Sequence, residues 1–405
     1  MNVIKCDQIY LDDKVVNGYI TIDKGRIESI TTKYEGDITF DYTGRRIIPG
    51  LIDTHNHGIM GYQMRTANNY EMDDEVSIQG YLKGLASFGV TGVFPTCSID
   101  KIKSIAKQAQ SNTIIGAKIL GIHSEGPWLN RVGEKGIKKE FIEPTKEIAQ
   151  QMVDDGAGYL KLVSVSPEIK GIEKITEVMK ENDVTLAIAH TDFFYNDVVN
   201  SIENKGFSVM THLGNAMTGL HHRNVGAIGA GLLNENVYCE IICDFIHVCQ
   251  EMVQVMLKVK DLNKVIMISD NSEYTAIPPH LYKGTDDKTT IEVGKDGSIH
   301  TETGKIQGSS IPMIYGIKNL VTKLNYDLSD VIKLSSKNAC DVYCLKDRGV
   351  IKQGYYADFV VIDDNYQVEA TYVEGIMVYD GNTKKEDLMN QDFLEKHRIS
   401  AELNL

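Results

Sequence analysis

A chain of 405 residues, 42% hydrophobic and 24% charged, has the composition of a folded globular protein and excludes a disordered polymer. Its net charge of -14 at pH 7 excludes a broad phosphate-tracking surface, so no nucleic-acid partner is expected and any phosphate must be held locally. No run reaches the roughly 20 uncharged apolar residues of a membrane span, charges interrupt the N-terminal stretch where a leader would be apolar, and the seven cysteines form no CxxC pair; no membrane association and a cytoplasmic location are expected.

The first 49 residues alternate apolar and polar side chains around turn residues, as in the run GYITIDKGRIESI, which predicts strands. From residue 51 onward, short β-branched runs alternate with stretches of helical period, the sign of repeated βα units and a parallel sheet. Eight such runs occur: Leu51–His57, Val90–Thr96, Lys118–Glu125, Leu160–Ser166, Thr185–His190, Phe207–His212, Val237–Cys243 and Lys264–Asp270. That number predicts an α/β fold, a closed (β/α)8 TIM-like barrel over residues 50–345. The glycine-rich segment Gly226–Gly231 lacks the GxGxxG order and reads as a tight loop, and Cys239/Cys243 and Cys340/Cys344 read as packing pairs. Period-two alternation returns over 346–380. Each end alone is too short for a stable sheet, so 1–49 and 346–380 are expected to pair as one small β-sandwich domain. Residues 381–405 complete the chain, with a peripheral amphipathic helix expected over Lys384–Arg398.

Ionisable residues recur where the apolar runs stop, the edge at which barrel enzymes carry their chemistry. The first run ends in Asp53-Thr54-His55-Asn56-His57, and side chains two apart on a strand point the same way. Alone, such a pair fits a solvated turn as well as a metal site. Of the eleven histidines, however, His55, His57, His123, His190 and His212 all fall at strand ends, alongside Glu125 and Asp270, which points to one metal centre. Imidazole and carboxylate ligands suit one or two divalent ions of zinc, iron, manganese or cobalt, and no cysteine stands at these ends to make a thiolate site. Glu125 can bridge two ions, with His55 and His57 completing one position and His190 and His212 the other. Asp270 is left to shuttle a proton, to bind metal, or both.

The strings PGLIDTHNHG, GIHSEGPWLN, THLGNAM and CDFIHV, with the lone Asp270 on the eighth strand, resemble the N-acetylglucosamine-6-phosphate deacetylases of the amidohydrolase superfamily. The resemblance runs through nearly the whole chain and implies metal-dependent hydrolysis of the acetamide of an amino sugar phosphate, a small-molecule partner. By matching residues it implies that Glu125, His190 and His212 hold the better-populated metal and that Asp270 is the general base and acid. It further implies that Asn215 and Ala216 cradle the sugar phosphate through their backbone, that Arg223 binds the phosphate, and that His247 contacts the sugar. A neighbouring subunit can supply such an arginine, so a homodimer is expected. Taken alone, Arg223 beside His221 and His222 fits a solvated loop, and His247 fits a buried, satisfied histidine.

Two segments depart from the family pattern. Lys135-Gly136-Ile137-Lys138 stands where the family usually shows Lys-Gly-x-His, and Asn271–Pro279 replaces a run of small residues after Asp270. These loops shape the sugar pocket, which keeps other N-acyl sugars, N-acyl amino acids and cyclic amides as alternative substrates. A non-catalytic metal or sugar-phosphate binding protein is the alternative of another class, and Asp270 argues against it because binding needs no proton shuttle.

Overall fold

The structure, a computed structural model, describes residues 1–65, 74–111, 113–130, 142–286 and 288–399. Its centre is the parallel barrel, and all eight runs identified in the sequence contribute strands: Leu51–Asn56, Val90–Cys97, Lys118–Ile119 with Ile122–Glu125, Leu160–Val165, Thr185–Ile188, Val209–Met210, Tyr238–Ile242 and Val265–Ile268. Val90–Cys97 is buried at every position, as a strand must be when helices cover it outside and a filled core lies inside. Ile52, Phe94, Leu162, Ala187, Val209, Ile242 and Ile266 meet in that interior, with Tyr343 packed on the Phe94 ring at 4.8 Å. The helices lie apolar side inward: Ile102–Gln110 buries Ile102, Ile105, Ala106 and Ala109, one stripe of a 3.6-residue period.

The barrel closes where its last strand meets its first. The Asp270 amide donates to the His55 carbonyl (2.9 Å) and the His57 amide to the Asn271 carbonyl (2.8 Å). Beneath these, the buried Asp53 carboxylate accepts from the Ser269 hydroxyl (2.5 Å) and the Asn56 amide (3.0 Å). The seam therefore runs through the residues that the sequence singled out for chemistry.

Both chain ends build one continuous seven-stranded sheet, joined where Phe40–Pro49 pairs antiparallel with Phe359–Ile362. Alternation sorts its faces. Ile47, Phe359 and Val361 point into a core private to this sheet, while their neighbours Ile48, Val360 and Ile362 join the large core around the barrel.

Three features differ from the sequence reading. Gly226–Leu233 is a helix, not a tight loop, and seven of its residues are buried. Its glycines allow close approach: a Cβ on Gly231 would lie 2.9 Å from the Leu213 side chain. Residues 280–309 form a four-stranded antiparallel sheet inserted after the eighth barrel strand, which the reading did not anticipate. The C-terminal helix is short, Gln391–His397, and its Phe393 is fully buried against Tyr274 (ring centroids 5.6 Å), in a core shared with Tyr282, Ile291, Val293 and Ile299 of that inserted sheet. Of the cysteines read as packing pairs, Cys239, Cys243 and Cys340 are buried and Cys344 is exposed. Among the described residues no helix is long and apolar enough to cross a membrane.

Candidate metal centre

The strand ends aim their side chains by two devices. His55 and His57 lie two apart on the first strand and so share a face. His190, His212 and Asp270 instead adopt positive φ (49°, 30° and 50°), a left-handed turn that non-glycine residues rarely take and that concentrates at functional sites. The result is a cluster built around Glu125. Its Oε1 lies 3.0 Å from the Nε2 atoms of both His190 and His212, and its Oε2 lies 3.2 Å from His57 Nε2. Asp270 Oδ1 stands 3.3 Å from His55 Nε2 and from His57 Nε2. The structure thus brings together all six residues proposed as ligands or proton carrier.

Two pairs of ring nitrogens decide what this cluster can hold. His55 Nε2 faces His57 Nε2 at 3.2 Å, and His190 Nε2 faces His212 Nε2 at 3.2 Å. For the first pair the tautomers are fixed from behind. His57 Nδ1 points at the Thr96 carbonyl (3.1 Å), which only accepts, and His55 Nδ1 at the buried Glu240 carboxylate (3.3 Å), so each ring carries its proton there and presents a lone pair at Nε2. In their neutral forms the two rings so held face each other lone pair to lone pair, an arrangement relieved by a metal ion between them or by a second proton on His55. Among the described residues, three overlapping sets satisfy the requirement for a cation site: Glu125/His190/His212, His55/His57/Glu125 and His55/His212/Asp270. This donor set, nitrogen and oxygen without sulfur, fits the ions expected from sequence.

The electrostatics express the same demand. Burial disfavours a charged His55, yet the adjacent carboxylates of Asp270, Glu125 and Glu240 outweigh it and raise the imidazole to about 9. Burial likewise opposes ionisation of Glu125 and Asp270, but the surrounding imidazoles, His55 foremost, hold both carboxyls well below their ordinary range. The centre opens to solvent on one side, where Asp270 and His190 keep 19% and 14% of their side chains exposed.

His123 does not join the centre's ligand atoms. It lies beneath, edge-on to His55 (centroids 4.6 Å), bonded to the hydroxyls of Thr96 and Ser164, and burial keeps it neutral. His247 is near the rim: its Nδ1 meets Asp244 Oδ2 at 2.6 Å while Asp244 Oδ1 accepts the amides of Ile246 and His247, which fixes the ring. Burial opposes charge on His247, but Asp244 prevails and raises it. Gly214 and Ala216 turn through positive φ after His212, and the Asn215 amide donates to the His212 carbonyl (2.9 Å). Arg223 sits apart, exposed on the turn His221–Asn224, with its guanidinium on His222. Lys135–Lys138 lies outside the described residues.

Sequence reasoning passed over four members of the site. Glu240 and Asp244 orient His55 and His247, Asp53 locks the seam, and Arg65 reaches the centre, with its Nη2 2.5 Å from His57 Nε2 and 3.0 Å from Glu125 Oε2. For Glu240 a signal existed, an acid inside the apolar run Tyr238–Ile242. Arg65 carried none.

A (β/α)8 barrel whose mouth gathers histidines and carboxylates around one buried glutamate defines a class of hydrolases that work with divalent metal. Residues 46–383 match the model of the amidohydrolase family, and the chain belongs to that family. It is 27% identical over 395 residues to the N-acetylglucosamine-6-phosphate deacetylase of Bacillus subtilis (strain 168), covering 93% of this chain and 97% of that one. It is 25% identical over 349 residues to the N-acetylgalactosamine-6-phosphate deacetylase of Shewanella sp. (strain ANA-3), covering 83% and 84%. The crystal structure of N-acetylglucosamine-6-phosphate deacetylase from Thermotoga maritima superposes with a TM-score of 0.77 at 26% identity, covering 93% of this chain and 99% of that one.

The two halves of the cluster make different predictions. His190→Ala and His212→Ala each should abolish tight metal binding, because each removes a nitrogen 3.0 Å from Glu125 Oε1. His55→Ala should leave one ion per chain in place. Metal analysis of purified variants checks this, and loss of all metal from His55→Ala would contradict the division.

Proposed function

We propose that this protein hydrolyses the acetamide of an N-acetyl amino sugar 6-phosphate, converting N-acetylglucosamine 6-phosphate into glucosamine 6-phosphate and acetate. The observation that carries the reaction is Asp270, a solvent-reaching carboxylate fixed by backbone to His55 at the mouth of the cluster. The likeness to deacetylases of this class over more than nine-tenths of the chain carries the substrate.

A divalent ion held by Glu125, His190 and His212, with or without a second at His55 and His57, supplies Lewis acidity toward water and the amide carbonyl. The chain's own groups then manage the proton. Asp270, ionised at neutral pH, accepts a proton from the attacking water as its oxygen bonds to the acetyl carbon. When the carbon–nitrogen bond breaks, Asp270 returns that proton to the departing nitrogen, so water is consumed and acetate and amine leave in balance. His247, oriented by Asp244, donates to substrate oxygen. The backbone amide of Ala216 donates to the 6-phosphate, while that of Asn215, given to the His212 carbonyl, shapes the turn that presents it. Arg223, exposed on its turn, adds a planar fork of donors, and in a homodimer it serves the neighbouring subunit's site. A reducing, cytoplasmic setting fits the seven free cysteines.

The galacto epimer is a second reading, favoured by the N-acetylgalactosamine-6-phosphate deacetylase among the relatives. Kinetics with both epimers, each with and without the 6-phosphate, separates these and the alternative N-acyl substrates.

Asp270→Asn should keep its metal and lose roughly 10²- to 10⁴-fold in turnover, since an amide cannot shuttle the proton. Metal content and kcat measured on one preparation decide it, and near-normal turnover would remove Asp270 from the chemistry. Arg223→Ala should lower kcat/KM for the 6-phosphate substrate by roughly 10- to 100-fold, the worth of one charged hydrogen bond, and leave the unphosphorylated sugar unaffected. Equal losses on both substrates would make Arg223 structural.

A further inference from the structure

Arg65 is the one cationic side chain among the described residues whose charged end bonds the ligand atoms of the centre. Its Nη2 lies 2.5 Å from His57 Nε2 and 3.0 Å from Glu125 Oε2, the two atoms that a second metal ion would need on that side. The geometry is chemically complete. His57 gives its ring proton to the Thr96 carbonyl, so its Nε2 accepts the guanidinium hydrogen, while Glu125 turns Oε1 toward His190 and His212 and Oε2 toward Arg65.

The position is built. The hairpin Gly58–Ile59 with Tyr62–Gln63 is held to the loop after the eighth strand by Met60 N to the Thr275 carbonyl and Gly61 N to the Glu273 carbonyl, both 2.8 Å. Asn390 holds it from the other side, donating its side-chain amide to the Gly61 carbonyl (3.0 Å) and its backbone amide to the Met60 carbonyl. Met64 N returns to the His57 carbonyl (2.8 Å), so the hairpin delivers Arg65 back over the histidine at its own start.

We propose that Arg65 occupies the His57 and Glu125 Oε2 face of the centre as a built-in cation and restricts the resident metal to one ion, at Glu125, His190 and His212. A guanidinium and a divalent ion cannot share those two atoms. Because 49% of the Arg65 side chain is exposed, it can swing outward, so a second ion is weakened and not forbidden. The inference rests on the reading of this cluster as a metal centre.

The test is equilibrium dialysis of the apo full-length protein against buffered Zn²⁺, read by elemental analysis, for wild type, Arg65→Ala and Arg65→Met. Wild type should hold one tight equivalent. Both variants should gain a second, bound roughly 10- to 100-fold more tightly than the second ion of wild type, the effect expected from removing a charged hydrogen-bonding competitor. Arg65→Met keeps the apolar stem, so the same gain there assigns the effect to charge. Two equally tight equivalents in wild type, or one equivalent in all three proteins, would overturn the role of Arg65. No tight ion in any of them would overturn the metal centre itself, and this role with it.

Discussion

Facing lone pairs are the constraint on which the active end of this molecule depends. Two pairs of imidazole nitrogens, each 3.2 Å apart, are gathered around the Glu125 carboxylate, and in the His55–His57 pair, whose ring protons are drawn to the rear, only positive charge at the facing nitrogens relieves the repulsion. The acceptors around them raise that demand. Glu240 and the Thr96 carbonyl take the ring protons of His55 and His57 to the rear, and Asp270 adds a further negative charge in front. The pull that raises His55 to about 9 is the same demand expressed in protons when no metal competes.

The barrel makes this affordable by placing the cluster on its closure. Strand eight meets strand one through the Asp270 and His57 amides and through Asp53 and Ser269 beneath them, so the proton carrier and the first histidines cannot drift apart without opening the barrel. On the outer side, Glu273 and Thr275 of the loop after strand eight and Asn390 at the start of the helix Gln391–His397 hold the hairpin that follows His57. The additions to the barrel therefore act on the centre, by fixing what approaches its exposed side.

Much of this was legible because periodicity and chemistry coincide in the sequence. His55 and His57 announce themselves by strand spacing, and Glu125, His190, His212 and Asp270 by standing where apolar runs stop. The strands themselves were readable because burial on both faces leaves near-continuous β-branched runs. What escaped depends on tertiary approach. Gly226–Leu233 is helical in spite of its glycines, which stand where neighbours press too closely for side chains, a condition no local pattern records. The inserted sheet gains its core partly from Phe393, about a hundred residues further along the chain. Arg65 follows no strand end, and only the fold of its hairpin returns it to His57. Arg223 was legible as a candidate by resemblance, yet its place in the chemistry depends on what meets its exposed turn.

Anomalous X-ray scattering from crystals of the zinc-loaded protein, collected on either side of the zinc edge, tests most directly whether the cluster is a cation cage. A peak between Glu125 Oε1, His190 Nε2 and His212 Nε2 is the predicted result. Well-ordered side chains of these three residues with no anomalous peak among them, in protein that retains stoichiometric zinc elsewhere, would contradict it.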